Sequence, residues 1–299
     1  PLVGEGFGNR PVFGAGPLGP FPVPGFKEKM KLFFPDRPVP PDSPAYVERP
    51  ADIKARHLVL QGTPVYLSGP PLTGKTSLLF RLGYLLLAQG FSFFYLKLTL
   101  ELAPSELEAF LEDCLRAEGK RLIAVDGLGE NPEANLEAIK RWLYRHPGTP
   151  LVVAGTFYPY PGEISPLVEI SLSFFYKPHI LQLVNLLGLG QEITEEIYRW
   201  SGGYPYIAHS LCAALAEGKK LEEAVESFKR EDQNLLPKLR KALLTVPEAS
   251  ELYQRILQGE QINYRRIIPL FREAPSLRGL FRSDEKGYVR LSSPLLSSL

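Results

Sequence analysis

The chain has 299 residues, 44% hydrophobic and 22% charged, with a formal net charge of +1. That is the composition of a globular protein, long enough for two modest domains or one domain with an appendage. The near-neutral balance excludes a general electrostatic pull toward nucleic acid or anionic membrane, so any such contact must come from a local patch. Cys114 and Cys212 stand far apart in no metal-type spacing and are expected to be buried, reduced thiols. The longest leucine-rich run, Leu78 to Leu87, is cut by Arg81, and no apolar h-region follows a basic start. The expectation is a soluble cytoplasmic chain without a membrane span. Two Cys, one Met and 29 Pro would suit a thermophile, in which labile residues are scarce and loops are stiff.

Residues 1–41 are rich in Gly and Pro, and Phe7, Phe13, Phe21 and Phe26 stand among turn and polyproline formers. Such a segment cannot build its own core. It reads as an extended arm, either a free tail or one that lays its aromatics on another surface of this protein or of a partner. From Asp42 the texture changes, and a helix over Ala51 to Leu60 leads to the first strand.

Val65 to Ser68 reads as a buried strand, followed by Gly69-Pro70-Pro71-Leu72-Thr73-Gly74-Lys75-Thr76-Ser77. The spacing Gly, four residues, Gly-Lys-Thr, between an apolar strand and a helix, is that of a phosphate-binding loop. The two glycines let backbone N–H groups converge on phosphate oxygens, and the helix dipole adds to the attraction. Lys75 is expected to reach the β- and γ-phosphates of ATP, and the Thr76 hydroxyl to ligate Mg²⁺. Tyr46 and Arg49, just before the strand, are candidates for contact with the base or for plain packing.

A buried helix is expected from Lys75 to Ala88 and a strand from Phe91 to Leu98, its aromatics read as core. Ser105 and Glu108 have the spacing of a capping box opening the next helix. The strand Arg121 to Asp126 ends in a carboxylate, which in a parallel sheet stands beside the phosphate loop and would hold Mg²⁺ with Thr76. Glu130, four residues on, is the candidate for polarising the attacking water, or a plain loop charge. A helix from Asn131-Pro132 turns Leu136, Ile139, Trp142 and Leu143 inward. The strand Leu151 to Ala154 runs into Gly155-Thr156, where the Thr156 hydroxyl either senses the γ-phosphate or simply ends the strand. Val168 to Leu172 completes a parallel sheet with helices on both faces. Beyond Phe175 the pattern is helical, over 177–187, 194–200, 206–216 and 221–244, then near 250–257 and 264–272, with a hairpin over 280–292.

Three separated pieces, Pro40 to Arg49, Gly74 to Leu78 and Ile197 to Tyr206, together resemble the AAA-like domain of bacterial STAND-type P-loop ATPases, relatives of the NACHT and archaeal ATPase groups. The resemblance implies an α/β P-loop NTPase core of the ASCE or AAA-like kind over 42–175, a helical lid over 176–245 and a winged-helix module over 246–299, with 1–41 as the arm. It implies an ATP- and Mg²⁺-dependent switch that controls assembly, as a homo-oligomer or with a separate protein partner. Pro205 matches the turn proline that links nucleotide state to the lid. Relatives carry a second acid after the third strand, whereas here Asp126 is followed by Gly127-Leu128-Gly129-Glu130, which implies slow hydrolysis. Arg141 and Arg145 are arginine-finger candidates by position only. The alternative is a DNA-associated regulator using the winged helix, with Lys238, Arg240, Lys241, Arg265, Arg266 and Arg282 as its charge. The chain has no Asn-Lys-x-Asp run, which argues against a GTPase.

Overall fold

The computed structural model describes residues 33–299 apart from 36, 100, 101, 130 and 131. Most of the expected arm, and the candidate base Glu130, therefore lie outside the described residues.

Five strands, β1 (Val65–Ser68), β2 (Phe91–Lys97), β3 (Lys120–Leu128), β4 (Leu151–Gly155) and β5 (Val168–Ser171), form one parallel sheet in the order β2-β3-β4-β1-β5. Alternate residues bury opposite faces, as the period of a strand requires. On one face Tyr66, Ile123, Val125 and Val153 join the apolar sides of α3 (Pro104–Leu115) and α4 (Glu133–Arg145). On the other, Val65, Leu67, Ala124 and Val152 join those of α1 (Pro50–Leu60) and α2 (Lys75–Leu87). Because β1 sits between β4 and β5, and β3 is next beyond β4, the carboxyl ends of β1 and β3 open on the same edge. Cys114 and Cys212 are free and buried.

Six α-helices follow, α5 (Lys177–Asn185), α6 (Gln191–Ser201), α7 (Pro205–Ala216), α8 (Leu221–Glu231), α9 (Leu236–Thr245) and α10 (Pro247–Leu257). A short α11 (Leu270–Glu273) and the antiparallel hairpin of β6 (Phe281–Ser283) and β7 (Val289–Leu291) complete the chain. One buried cluster runs through this whole half, from Ile180 and Tyr204 to Leu280 and Leu296, and also takes in Phe33, Ala45 and Val47. Among the described residues no helix is long and apolar enough to cross a membrane.

Three local expectations are corrected. The helix expected over 221–244 is two helices, because the Asp232 carboxylate accepts from the amides of Leu235 (2.9 Å) and Leu236 (2.7 Å), starting α9 anew ahead of Pro237. The 264–272 helix is a 3-10 turn over Tyr264–Arg266, capped by Asn263, then α11 after Pro269, which has no N–H to continue a helix. The box expected from Ser105 and Glu108 is displaced by Pro104 in the first turn. Glu106 closes on the Ala103 amide at 2.9 Å, and Glu108 instead takes Arg141 at 2.6 Å.

Candidate functional site

β1 ends at Ser68 and α2 begins at Lys75, so the loop between them lies at the carboxyl edge of the sheet, at a helix N-terminus. Gly74 holds φ +92°, and a Cβ there would lie 3.3 Å from Nη2 of Arg49. Four loop carbonyls accept side-chain donors. Lys75 Nζ donates to Gly69 (2.8 Å) and Pro70 (2.6 Å), and Thr73 Oγ1 also donates to Pro70 (2.9 Å). Arg49 Nη1 donates to Thr73 (2.8 Å) and the Tyr204 hydroxyl to Pro71 (2.6 Å). The loop is held from three directions, by its own lysine, by the residue before α1 and by the turn before α7.

Lys75 is buried. Burial pushes its ammonium down to about 7; Asp126 opposes this, while Arg278, Lys238 and Arg49 push the same way. Several positive charges thus act on one point that water does not screen well, which is a strong field for an anion.

Asp126 is buried on β3, facing α2. Its Oδ2 accepts from Thr76 Oγ1 at 2.7 Å and from the Tyr95 hydroxyl at 3.0 Å. The strand does not end there. Gly127 at φ +101° carries a register shift against β4, and β3 continues to Leu128. A carboxylate oxygen and a hydroxyl this close are hard ligands, and they fit a cation that takes few protein ligands and completes its shell with water and phosphate, as Mg²⁺ does. Among the described residues no cluster of three or more His, Cys, Asp or Glu could hold a metal by itself. Thr156 follows β4, its amide donating to Leu128 at 3.0 Å, which puts it one strand from Asp126.

Of the other expected residues, Ser77 accepts the Val39 amide at 3.1 Å in the first turn of α2. Arg49 is buried, with Nε 3.6 Å from Asp52. Tyr46 bonds Asp52, the partner of Arg49, and lies under the Arg81 guanidinium at 5.2 Å. Pro205 is buried as the first residue of α7, and the residue that reaches the loop from this turn is its neighbour Tyr204. Arg141 and Arg145 pair with Glu108 and Glu112 across α3 and α4.

Three side chains at the site were not singled out by the sequence: Tyr95 and Arg278 lie in no motif, and Tyr204 lies in the turn before Pro205. Tyr95 sits in an aromatic run that reads as core, yet its hydroxyl is on Asp126. Tyr204 is buried, its ring 4.6 Å from that of Phe174. Arg278 donates to Ser171 Oγ at 3.1 Å and lies 4.6 Å from the Tyr158 ring, and its Nη1 has no partner. Its neighbour Gly279 abuts both the loop and Tyr204: a Cβ there would lie 3.3 Å from Pro70 Cβ and 2.7 Å from the Tyr204 hydroxyl. The C-terminal half is therefore seated directly on the loop between β1 and α2.

No family model and no curated protein matches the chain. Among solved structures, the Walker-type ATPase PABY2304 of Pyrococcus abyssi superposes with a TM-score of 0.54 at 12% identity, over 88% of this chain and 97% of that one. The fold is that of the P-loop ATPases. More distant from this P-loop ATPase fold are a STAND protein with a tetratricopeptide repeat sensor from Pyrococcus horikoshii (TM-score 0.43, 14% identity, 85% of this chain and 42% of that one) and AMPPCP-bound DnaA from Aquifex aeolicus (0.40, 14%, 66% and 70%).

Proposed function

We propose that the chain is an ATP- and Mg²⁺-dependent switch of the STAND-like kind with slow hydrolysis. Occupancy of the loop 69–77 sets how residues 176–299 seat on the core, and through that seating controls assembly with further copies or with a separate protein partner. The observation that carries this reading is the hydrogen bond from Tyr204 to Pro71, with Gly279 lying against Pro70 beside it. A ligand that shifts the loop acts directly on the lid, and the lid on the ligand.

In this reading Lys75 gives up the carbonyls of Gly69 and Pro70 for the β- and γ-phosphates, and the amides from Leu72 to Ser77 cradle them. Thr76 and Asp126 hold Mg²⁺, which when bound neutralises phosphate charge. Tyr95 fixes the Asp126 carboxylate. Thr156 senses the γ-phosphate, Arg49 and Tyr46 brace the loop, Pro205 sets the lid turn, and Glu130 polarises water. Residues 42–175 are the ATPase core, 176–245 the lid and 246–299 a winged-helix-like module, in a cytoplasmic protein.

The test is light scattering with Mg²⁺ and ATP, ADP or no nucleotide, with phosphate release followed on the same samples. A nucleotide-dependent change in mass with slow turnover is expected, both lost in Lys75→Ala. ATP binding of unchanged affinity in Lys75→Ala would overturn the loop's role. Turnover without any change in mass would overturn the assembly switch.

A further inference from the structure

Where the described chain begins, Phe33 is 1% exposed, buried among Ala45, Val47 and Phe175. Its ring meets that of His209 edge-on at 6.0 Å, and His209 lies 6.2 Å from Phe175. His209 is 6% exposed and its Nδ1 has no hydrogen-bond partner. A buried polar atom of this kind ordinarily has one, so the slot lacks a ligand group. The slot is tied to the phosphate loop through Arg49, whose guanidinium lies 5.7 Å from the Phe175 ring and donates to Thr73. From Phe33 the chain runs past the first turns of α2, where the Val39 amide donates to Ser77 Oγ at 3.1 Å and the Pro41 carbonyl accepts from Arg81. Ser77 directly follows Thr76 in the first turn of α2, so this contact holds the segment against the start of the helix that opens at the loop. One segment thus covers both an aromatic slot with an unpaired polar edge and a hydroxyl in the first turn of α2.

We propose that Phe33 fills the slot a nucleobase would take, and that Phe33 and Val39 anchor an internal competitor which ATP must displace. This rests on reading the loop as a nucleotide site. A flat ring with hydrogen-bonding edges matches the slot better than phenylalanine does, because it can pair with His209 Nδ1 while stacking on the same aromatics. ATP then binds with its intrinsic affinity multiplied by the fraction of molecules in which the segment has left.

The experiment compares the full chain with Phe33→Ala and, as a variant that keeps the ring, Val39→Pro, which deletes the amide on Ser77. Equilibrium binding of Mg²⁺-ATP and of Mg²⁺ with inorganic triphosphate is measured on each. Both variants are expected to bind ATP about tenfold more tightly, the gain when a competitor occupying the site about nine-tenths of the time is removed. Triphosphate affinity should stay within about twofold in Phe33→Ala, because it has no base to place. ATP affinity unchanged or weakened in both variants, with triphosphate still bound, would make Phe33 an ordinary wall of the core and overturn the proposal. Should Phe33→Ala fail to fold, Val39→Pro decides alone. Failure of the unaltered chain to bind triphosphate, or equal binding by Lys75→Ala, would overturn the nucleotide-site reading itself and this proposal with it.

Discussion

Tyr204→Phe removes one oxygen atom from the contact between the turn before α7, in the proposed lid, and the loop. The ring is fully buried against Phe174 and stays in place, so the substitution leaves no cavity of consequence. What it leaves is the Pro71 carbonyl, which accepts that hydroxyl at 2.6 Å in buried surroundings. An acceptor stranded in this way costs about 1–3 kcal/mol. If the bond belongs to the seated lid, the same energy is withdrawn from seating, which weakens the coupling of lid to loop by about 5- to 150-fold. Two assays separate the effects: urea unfolding, and the release rate of a fluorescent nucleotide. Tyr204→Phe should lower stability and speed release by about tenfold, within that range. The control is Tyr206→Phe, two residues on, whose hydroxyl donates to Asp232 at 2.6 Å away from the loop; it should lower stability and leave release unchanged. Equal release rates in the two variants would refute the coupling, since the bond would then be only one more buried hydrogen bond.

Three further outcomes are expected. Asp126→Asn preserves shape but removes the charge beside Thr76, so phosphate release should fall about 100-fold and ATP should bind equally well with Mg²⁺ and with a chelator. With its amine held down at about 7 by burial, Lys75 is largely neutral in the empty chain at pH 8, and bound phosphate restores its charge. Calorimetry in buffers of different ionisation heat should find proton uptake on ATP binding at pH 8, with affinity falling as pH rises from about 7 towards 9. The unfolded chain holds this proton up to the ordinary lysine range, so the empty protein gains stability as pH rises through that window, a contribution Lys75→Met should lack. Gly202→Ala would put a Cβ 1.6 Å from the Ser292 carbonyl oxygen at φ +60°, and urea unfolding should register a loss on the order of 3 kcal/mol or more.

What was legible in the sequence was the part where geometry is dictated by neighbours in the chain. Gly69, Gly74, Lys75 and Thr76 announce the loop because their spacing must fit one strand-to-helix turn, and Asp126 is visible as a carboxylate closing an apolar run. The alternation of strands and helices was enough for the layered sheet. Contacts made across long separations left no such mark. Tyr95 looks like one more aromatic of β2, and only the β2–β3 register, which pairs Tyr95 with Ala124 and Lys97 with Asp126, brings its hydroxyl to the carboxylate. The turn before Pro205 was visible as a turn, but nothing local says that Tyr204 reaches a carbonyl 133 positions earlier. The break at Asp232 was missed for another reason: an apolar periodicity continued across it, while one side chain capturing two amides outweighed that pattern.

Ser292 and Gly202 are in backbone contact, as are Phe175 and Gly203, with room for no side chain at either glycine. Arg282 on the hairpin also donates to the Gly202 carbonyl at 3.2 Å. Mechanically this is a linkage without slack: main chain touches main chain at Gly202, and two residues later a buried tyrosine grips the loop. A displacement of the hairpin would reach Pro71 through two close main-chain contacts and one buried tyrosine ring. In the switch proposed above, a pull on this hairpin and a ligand at the loop would bear on the same contact.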